Sequence, residues 1–77
     1  MNKVDLLLFD VAVRHAVSID GIKGTSRVSA LVQARHEFCV RAKEELGMSL
    51  HMIGKAINRS AATVHAAINK RGAHDEH

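Results

Sequence analysis

The chain has 77 residues, 47% of them hydrophobic and only 3% aromatic, with a net charge of +3 and a single cysteine. That length allows one domain with one modest aliphatic core. A lone cysteine excludes an internal disulfide, and no apolar run is long enough to span a bilayer.

The charge is uneven. Residues 1–20 set Lys3 and Arg14 against Asp5, Asp10 and Asp20, whereas residues 21–71 set nine Lys/Arg against Glu37, Glu44 and Glu45, a net of +6. Such a basic block suits a polyanionic partner, with a merely solvated surface as the alternative. Leu6-Leu7-Leu8-Phe9 is flanked by aspartates, unlike a secretory signal. Cys39, inside an apolar run, reads as a small buried hydrophobe suited to a reducing cytoplasm. Proline is absent and the glycines lie between apolar runs, which favours an all-α chain.

In chain order, residues 4–17 place Leu6, Phe9, Val13, Ala16 and Val17 at helical spacing. The spacing predicts a first helix whose stripe packs on the rest, with Asp5 and Asp10 where the helix dipole favours them. Residues 18–26 read as a connector, anchored by Ile19 and Ile22 and turned at Gly21 and Gly24. It ends in Lys23-Gly24-Thr25-Ser26-Arg27, which offers charge and short donors to phosphate oxygens.

Residues 28–46 carry the longest helical pattern: Val28, Leu31, Val32, Phe38, Cys39, Ala42 and Leu46. Arg35 alone stands out of place on the apolar side, where it either snorkels to a phosphate or pairs with a glutamate. Arg41 forms i,i+4 pairs with Glu37 and Glu45, and Gly47 ends the helix.

Residues 49–70 read as two short helices joined by a tight turn. Ser49 caps the first, and Leu50, Ile53 and Ile57 share its inner face. Asn58 and Arg59 make the break, asparagine being tolerant of left-handed backbone. Ser60 caps the second helix, whose inner face is Val64, Ala67 and Ile68, and Gly54 and Ala56 are small where one helix crosses close to another. This is a helix-turn-helix pattern. The outer face of the second helix, with Ala61, Ala62, Thr63, His65 and Asn69, carries no acidic residue, so it can enter a DNA groove without repelling phosphate. Lys43, Lys55 and Arg59 are candidate phosphate clamps. Gly72 is expected to end the last helix, and residues 72–77 to form a disordered polar tail.

Other chemistries find no support. The six histidines are dispersed and form no zinc-spaced quartet, so no metal is expected. Cys39 lacks the basic, partly exposed setting of a nucleophile, so no enzyme is expected. No phosphate-cradling G-x-x-x-x-G-K-[ST] motif occurs, and no cofactor is expected. Without Trp or Tyr, base stacking on single strands is disfavoured.

The order of basic loop, long helix, Ser49-Leu50-His51-Met52-Ile53-Gly54 and Arg59-Ser60-Ala61-Ala62-Thr63-Val64 resembles the C-terminal DNA-binding domain of the bacterial replication initiator DnaA. The likeness covers residues 8–71. It implies a small helical domain of about four helices, Trp-repressor-like, within residues 1–71, with double-stranded DNA as partner. By this likeness Arg27 falls where the family's loop arginine enters the minor groove, beside Lys23 and Thr25. Arg35 and Ala42-Lys43-Glu44 fall in step with the family's long helix. The family's base-reading Asp-His-Thr is Ser60-Ala61-Ala62 here, and the turn is one residue shorter. Only Thr63 keeps its match. Alanine methyls can touch thymine methyls but form none of the bidentate bonds that discriminate bases. Two functions fit: duplex DNA binding in transcriptional or replication control, or a protein-interaction module that keeps the fold and docks a partner on its alanine-rich helix. A protein partner or homodimer is compatible with either.

Overall fold

The structure, a computed structural model, describes residues 1–75, with side chains through Asn69. These residues form five α-helices: α1 (Lys3–Arg14), α2 (Ile19–Lys23), α3 (Ser29–Leu46), α4 (Leu50–Ile57) and α5 (Ala61–Asp75). Local chemistry sets their ends. Asn2, Ser18 and Ser49 lie in extended backbone, and their side-chain oxygens accept from the amides of Asp5, Gly21 and Met52 at 2.9, 2.9 and 3.2 Å. Each satisfies an amide that the first helical turn leaves without a partner. α3 has no side-chain cap and is held instead by its packing. It stops at Gly47, whose φ of 64° lets the Met48 amide reach back to the Ala42 carbonyl at 3.2 Å.

α3 is the central element. It buries Ala34, Phe38, Cys39 and Ala42 against Leu7, Leu8, Val11 and Ala12 of α1, Ile22 of α2, Ile53 and Ile57 of α4, and Val64 of α5. Phe38 is the largest fully buried side chain, so one aromatic ring sits in an otherwise aliphatic core.

The all-α expectation holds, with four corrections of detail. The connector contains α2: Ser18 caps a single turn that buries Ile22, although five residues with an internal glycine carry little helical signal. α1 ends at Arg14, not Val17, because Ala16 turns left-handed at φ 54° and the Val17 amide bonds back to the Ala12 carbonyl at 2.9 Å. The buried stripe of α1 is also the opposite one. Leu6, Phe9 and Val13 are exposed, and Leu7, Leu8, Val11 and Ala12 face the core. α1 is apolar on both sides, so periodicity fits either orientation. The observed one lets Asp10 and Arg14 reach Arg41 and Glu37 of α3, at 2.7 and 2.9 Å.

At the other end, α5 runs through Gly72 to Asp75 rather than stopping at the glycine. Glycine weakens a helix interior by about 1 kcal/mol without forbidding it. Glu76 and His77, the end of the expected tail, lie outside the described residues.

Candidate nucleic-acid interface

The turn between α4 and α5 is built by three adjacent residues. Asn58 adopts the left-handed conformation, φ 57° and ψ 45°, as the sequence predicts, and the Arg59 amide then bonds the Gly54 carbonyl at 2.8 Å. The chain folds back so closely that a Cβ on Gly54 would lie 2.2 Å from the Arg59 carbonyl oxygen. Gly54 is thus small for the turn itself more than for a helix crossing. Ser60 Oγ then accepts from the Thr63 amide at 3.2 Å and bonds Thr63 Oγ1 at 3.0 Å. The first turn of α5 therefore holds the Thr63 hydroxyl in place. Ala62, Thr63 and His65 are exposed, Ala61 is half-buried, and the His65 ring bonds Asn69 Nδ2 at 3.2 Å.

The basic loop is drawn to this turn by two arginines. Arg35 is 8% exposed, and its guanidinium donates to the carbonyls of Ile22 at 2.7 Å, Ser26 at 2.7 Å, Gly21 at 2.9 Å and Gly24 at 3.1 Å. Residues 21–26 therefore wrap around one side chain. This corrects both sequence-based expectations for Arg35: it neither snorkels outward nor pairs with a glutamate, because backbone carbonyls satisfy four of its five N–H groups. Arg59, expected as a phosphate clamp, is also partly turned inward. Nη1 donates to the carbonyls of Ile57 at 3.2 Å and Asn58 at 3.1 Å, and Nη2 donates to the carbonyl of Gly24. Asn58 Nδ2 adds a bond to the Lys23 carbonyl at 3.4 Å. The Gly24 carbonyl is thus shared by two guanidiniums, one from α3 and one from the turn.

With the loop backbone held inward, Thr25, Ser26 and Arg27 are exposed and Lys23 is half-buried. The structure brings Lys23, Arg35, Arg59 and the Ser60–Thr63 cap into one connected region. Lys43 and Lys55 are exposed, and neither forms an ion pair with a described residue.

Charge is sorted across α3. On one flank, Glu37 accepts from Arg14 Nε at 2.9 Å and Arg41 Nη1 at 3.3 Å and bonds His15 Nε2 at 3.1 Å; Arg41 also pairs with Asp10 and Glu45, both at 2.7 Å. Burial alone would raise the Glu37 carboxyl, but hydrogen bonds from His15, Arg14 and Arg41 outweigh it and hold the group below its usual range. On the other flank, Arg35 and Arg59 have no carboxylate partner among the described residues. Burial, with the neighbouring Arg59 charge, lowers the Arg35 pKa. Burial also pushes the Cys39 thiol up to about 11, far from the thiolate a nucleophile needs at neutral pH. The Arg41 pairs with Glu37 and Glu45 were legible as i,i+4 spacing, whereas its pair with Asp10 and the contributions of Arg14, His15 and Asn58 depend on how distant segments meet.

No helix among the described residues is long and apolar enough to cross a membrane. No curated protein and no solved structure matches the chain. Residues 4–70 match the family described as the bacterial dnaA protein helix-turn-helix, a DNA-binding domain, and that span takes in the basic loop, the whole of α3 and α4, the turn and most of α5. The chain belongs to the bacterial DnaA helix-turn-helix family.

Proposed function

We propose that this protein binds double-stranded DNA as a regulator of replication or transcription in the cytoplasm, reading it with the loop at residues 23–27 and the first turns of α5. The carrying observation is the linkage between these segments, in which Arg35 and Arg59 hold the Gly24 carbonyl from two sides. In this reading Arg27 enters the minor groove, and Lys23 and Thr25 support it on phosphates. Thr63, with Ser60, Ala61, Ala62 and His65, faces the major groove, and Lys43 and Lys55 contact phosphate. Arg35 acts as a positioning residue, and Arg59 both positions the loop and offers its Nε–H to phosphate. The domain spans residues 1–71.

The test is duplex affinity across salt concentrations. About four to six phosphate contacts predict a log–log slope of about −4 to −5, and a flat response refutes the reading. On one selected and one random duplex, Arg27→Ala is expected to weaken binding most where A·T-rich flanks narrow the minor groove and to lower the slope. Thr63→Ala is expected to keep the slope while narrowing the gap between the two duplexes. An equal loss on both would mean that α5 supports binding without reading bases. The competing role, a protein-docking module, draws on the exposed Ala62 and Ala66 and predicts no duplex affinity beyond weak, nonspecific attraction.

A further inference from the structure

Between α3 and α5 lies a half-open pocket of about 260 Å³. Its walls are apolar: Val32 and Cys39 from α3, Ile57 from α4, Val64 and Ala67 from α5. Two guanidiniums, Arg35 and Arg59, and the His36 imidazole join this lining, and no described carboxylate balances either guanidinium. A largely apolar pocket bordered by two guanidiniums without carboxylate partners is complementary to an amphipathic anion. Arg35 is nearly saturated by backbone carbonyls, but Arg59 keeps its Nε–H and one Nη2 hydrogen without a protein acceptor among the described residues. Two donors on one guanidinium suit a two-oxygen acceptor.

The volume limits the occupant further. Drug-sized ligands occupy pockets of about 300–1,000 Å³, so this one takes a smaller molecule, of roughly ten non-hydrogen atoms. A nucleotide is too large and too polar for walls of this kind. We infer that the α3–α5 pocket is a binding site for a small apolar carboxylic acid, its hydrocarbon body against Val32, Cys39 and Val64 and its carboxylate on Arg59. Thr63, Ala66 and Ala67 contribute small side chains to the lining, so a larger side chain there takes up part of the space.

The direct test is a titration of the DNA-free protein with phenylacetate, followed by the methyl resonances of Val32, Ile57 and Val64. The neutral 2-phenylethanol serves as control. Saturable binding with a dissociation constant of about a millimolar is expected for a ligand of this size, with the alcohol at least tenfold weaker. Ala66→Leu, which fills the pocket from an exposed position without altering charge, is expected to weaken the acid at least tenfold, and Arg59→Gln is expected to abolish its advantage over the alcohol. Thermal melts confirm that both variants are folded. Equal binding of acid and alcohol, shifts located away from α3 and α5, unchanged binding by Ala66→Leu, or no saturation overturns the proposal. Since α5 forms one wall, occupancy is also expected to change duplex affinity at least threefold, and duplex to change acid affinity by the same factor. That coupling rests on the DNA-binding reading, whereas the titration without DNA does not, so the two can fail separately.

Discussion

Arg35 shows how a polar residue can be required on an apolar helix face. Four carbonyls converge on its guanidinium, and a side chain without donors there leaves them unsatisfied. Arg35→Met is expected to cost about 2 kcal/mol, the hydrogen bonds lost being partly offset by removal of a desolvated charge. Arg35→Lys is not expected to restore it, since an ammonium cannot reproduce the planar fork. Denaturant melts and faster amide exchange in residues 21–27 are the measurements. Two glycines give a second test. Gly54→Ala drives a methyl into the Arg59 carbonyl and is expected to cost about 3 kcal/mol or more. Gly47→Ala meets nothing within 4 Å but must hold φ at 64°, a cost of about 1 kcal/mol. Equal melting temperatures for the two variants would contradict the close turn. The sequence disclosed Arg35 as an anomaly and Gly54 as a tight spot, but not their partners. Those partners are main-chain carbonyls, which no side-chain pattern records.

Among the helices, legibility followed amphipathicity. α4 has a clear inner face, and its cap, its buried Ile53 and Ile57 and its left-handed end at Asn58 were all readable. α1 was readable as a helix but not in its rotation, because apolar residues surround it; the observed rotation buries Leu7, Leu8, Val11 and Ala12 and pairs Asp10 and Arg14 with α3. α2 was too short for periodicity. The rotation of α1 can be checked by substitution. Leu8→Ala is expected to cost about 2–4 kcal/mol, while Leu6→Ser or Phe9→Ser is expected to change stability by about 0.5 kcal/mol or less. The stripe expected from spacing alone predicts the reverse. Ala16→Gly, relieving a left-handed alanine, is expected to stabilise the end of α1 by about 1 kcal/mol or less, read as a higher denaturation midpoint.

In the molecule as a whole, charge divides between two flanks of α3, and the paired flank makes stability depend on acidity. The Glu37 carboxyl is held below its ordinary value, so its contribution is complete above the unfolded value of about 4.3 and is lost as pH falls through the folded value. Glu37→Gln is expected to lower stability by about 1–3 kcal/mol at pH 7. Its deficit against the parent is expected to shrink as pH falls below the unfolded value and through the lowered folded one. A deficit that stays constant across this range would mean that Glu37 acts through packing alone.

The doubly held Gly24 carbonyl also makes the molecule a calliper. Loop and turn are joined through the same oxygen, so the loop backbone at Gly24 is held against the Arg59 turn by the protein and not by what it binds. If the loop and α5 read DNA as proposed, one jaw sits in each groove, and the gap between them corresponds to a fixed number of base pairs. Inserting a single base pair between the A·T-rich flank and the element read by α5 is therefore expected to cost nearly all the preference for that site, and removal of Arg35 to blunt the penalty by loosening one jaw.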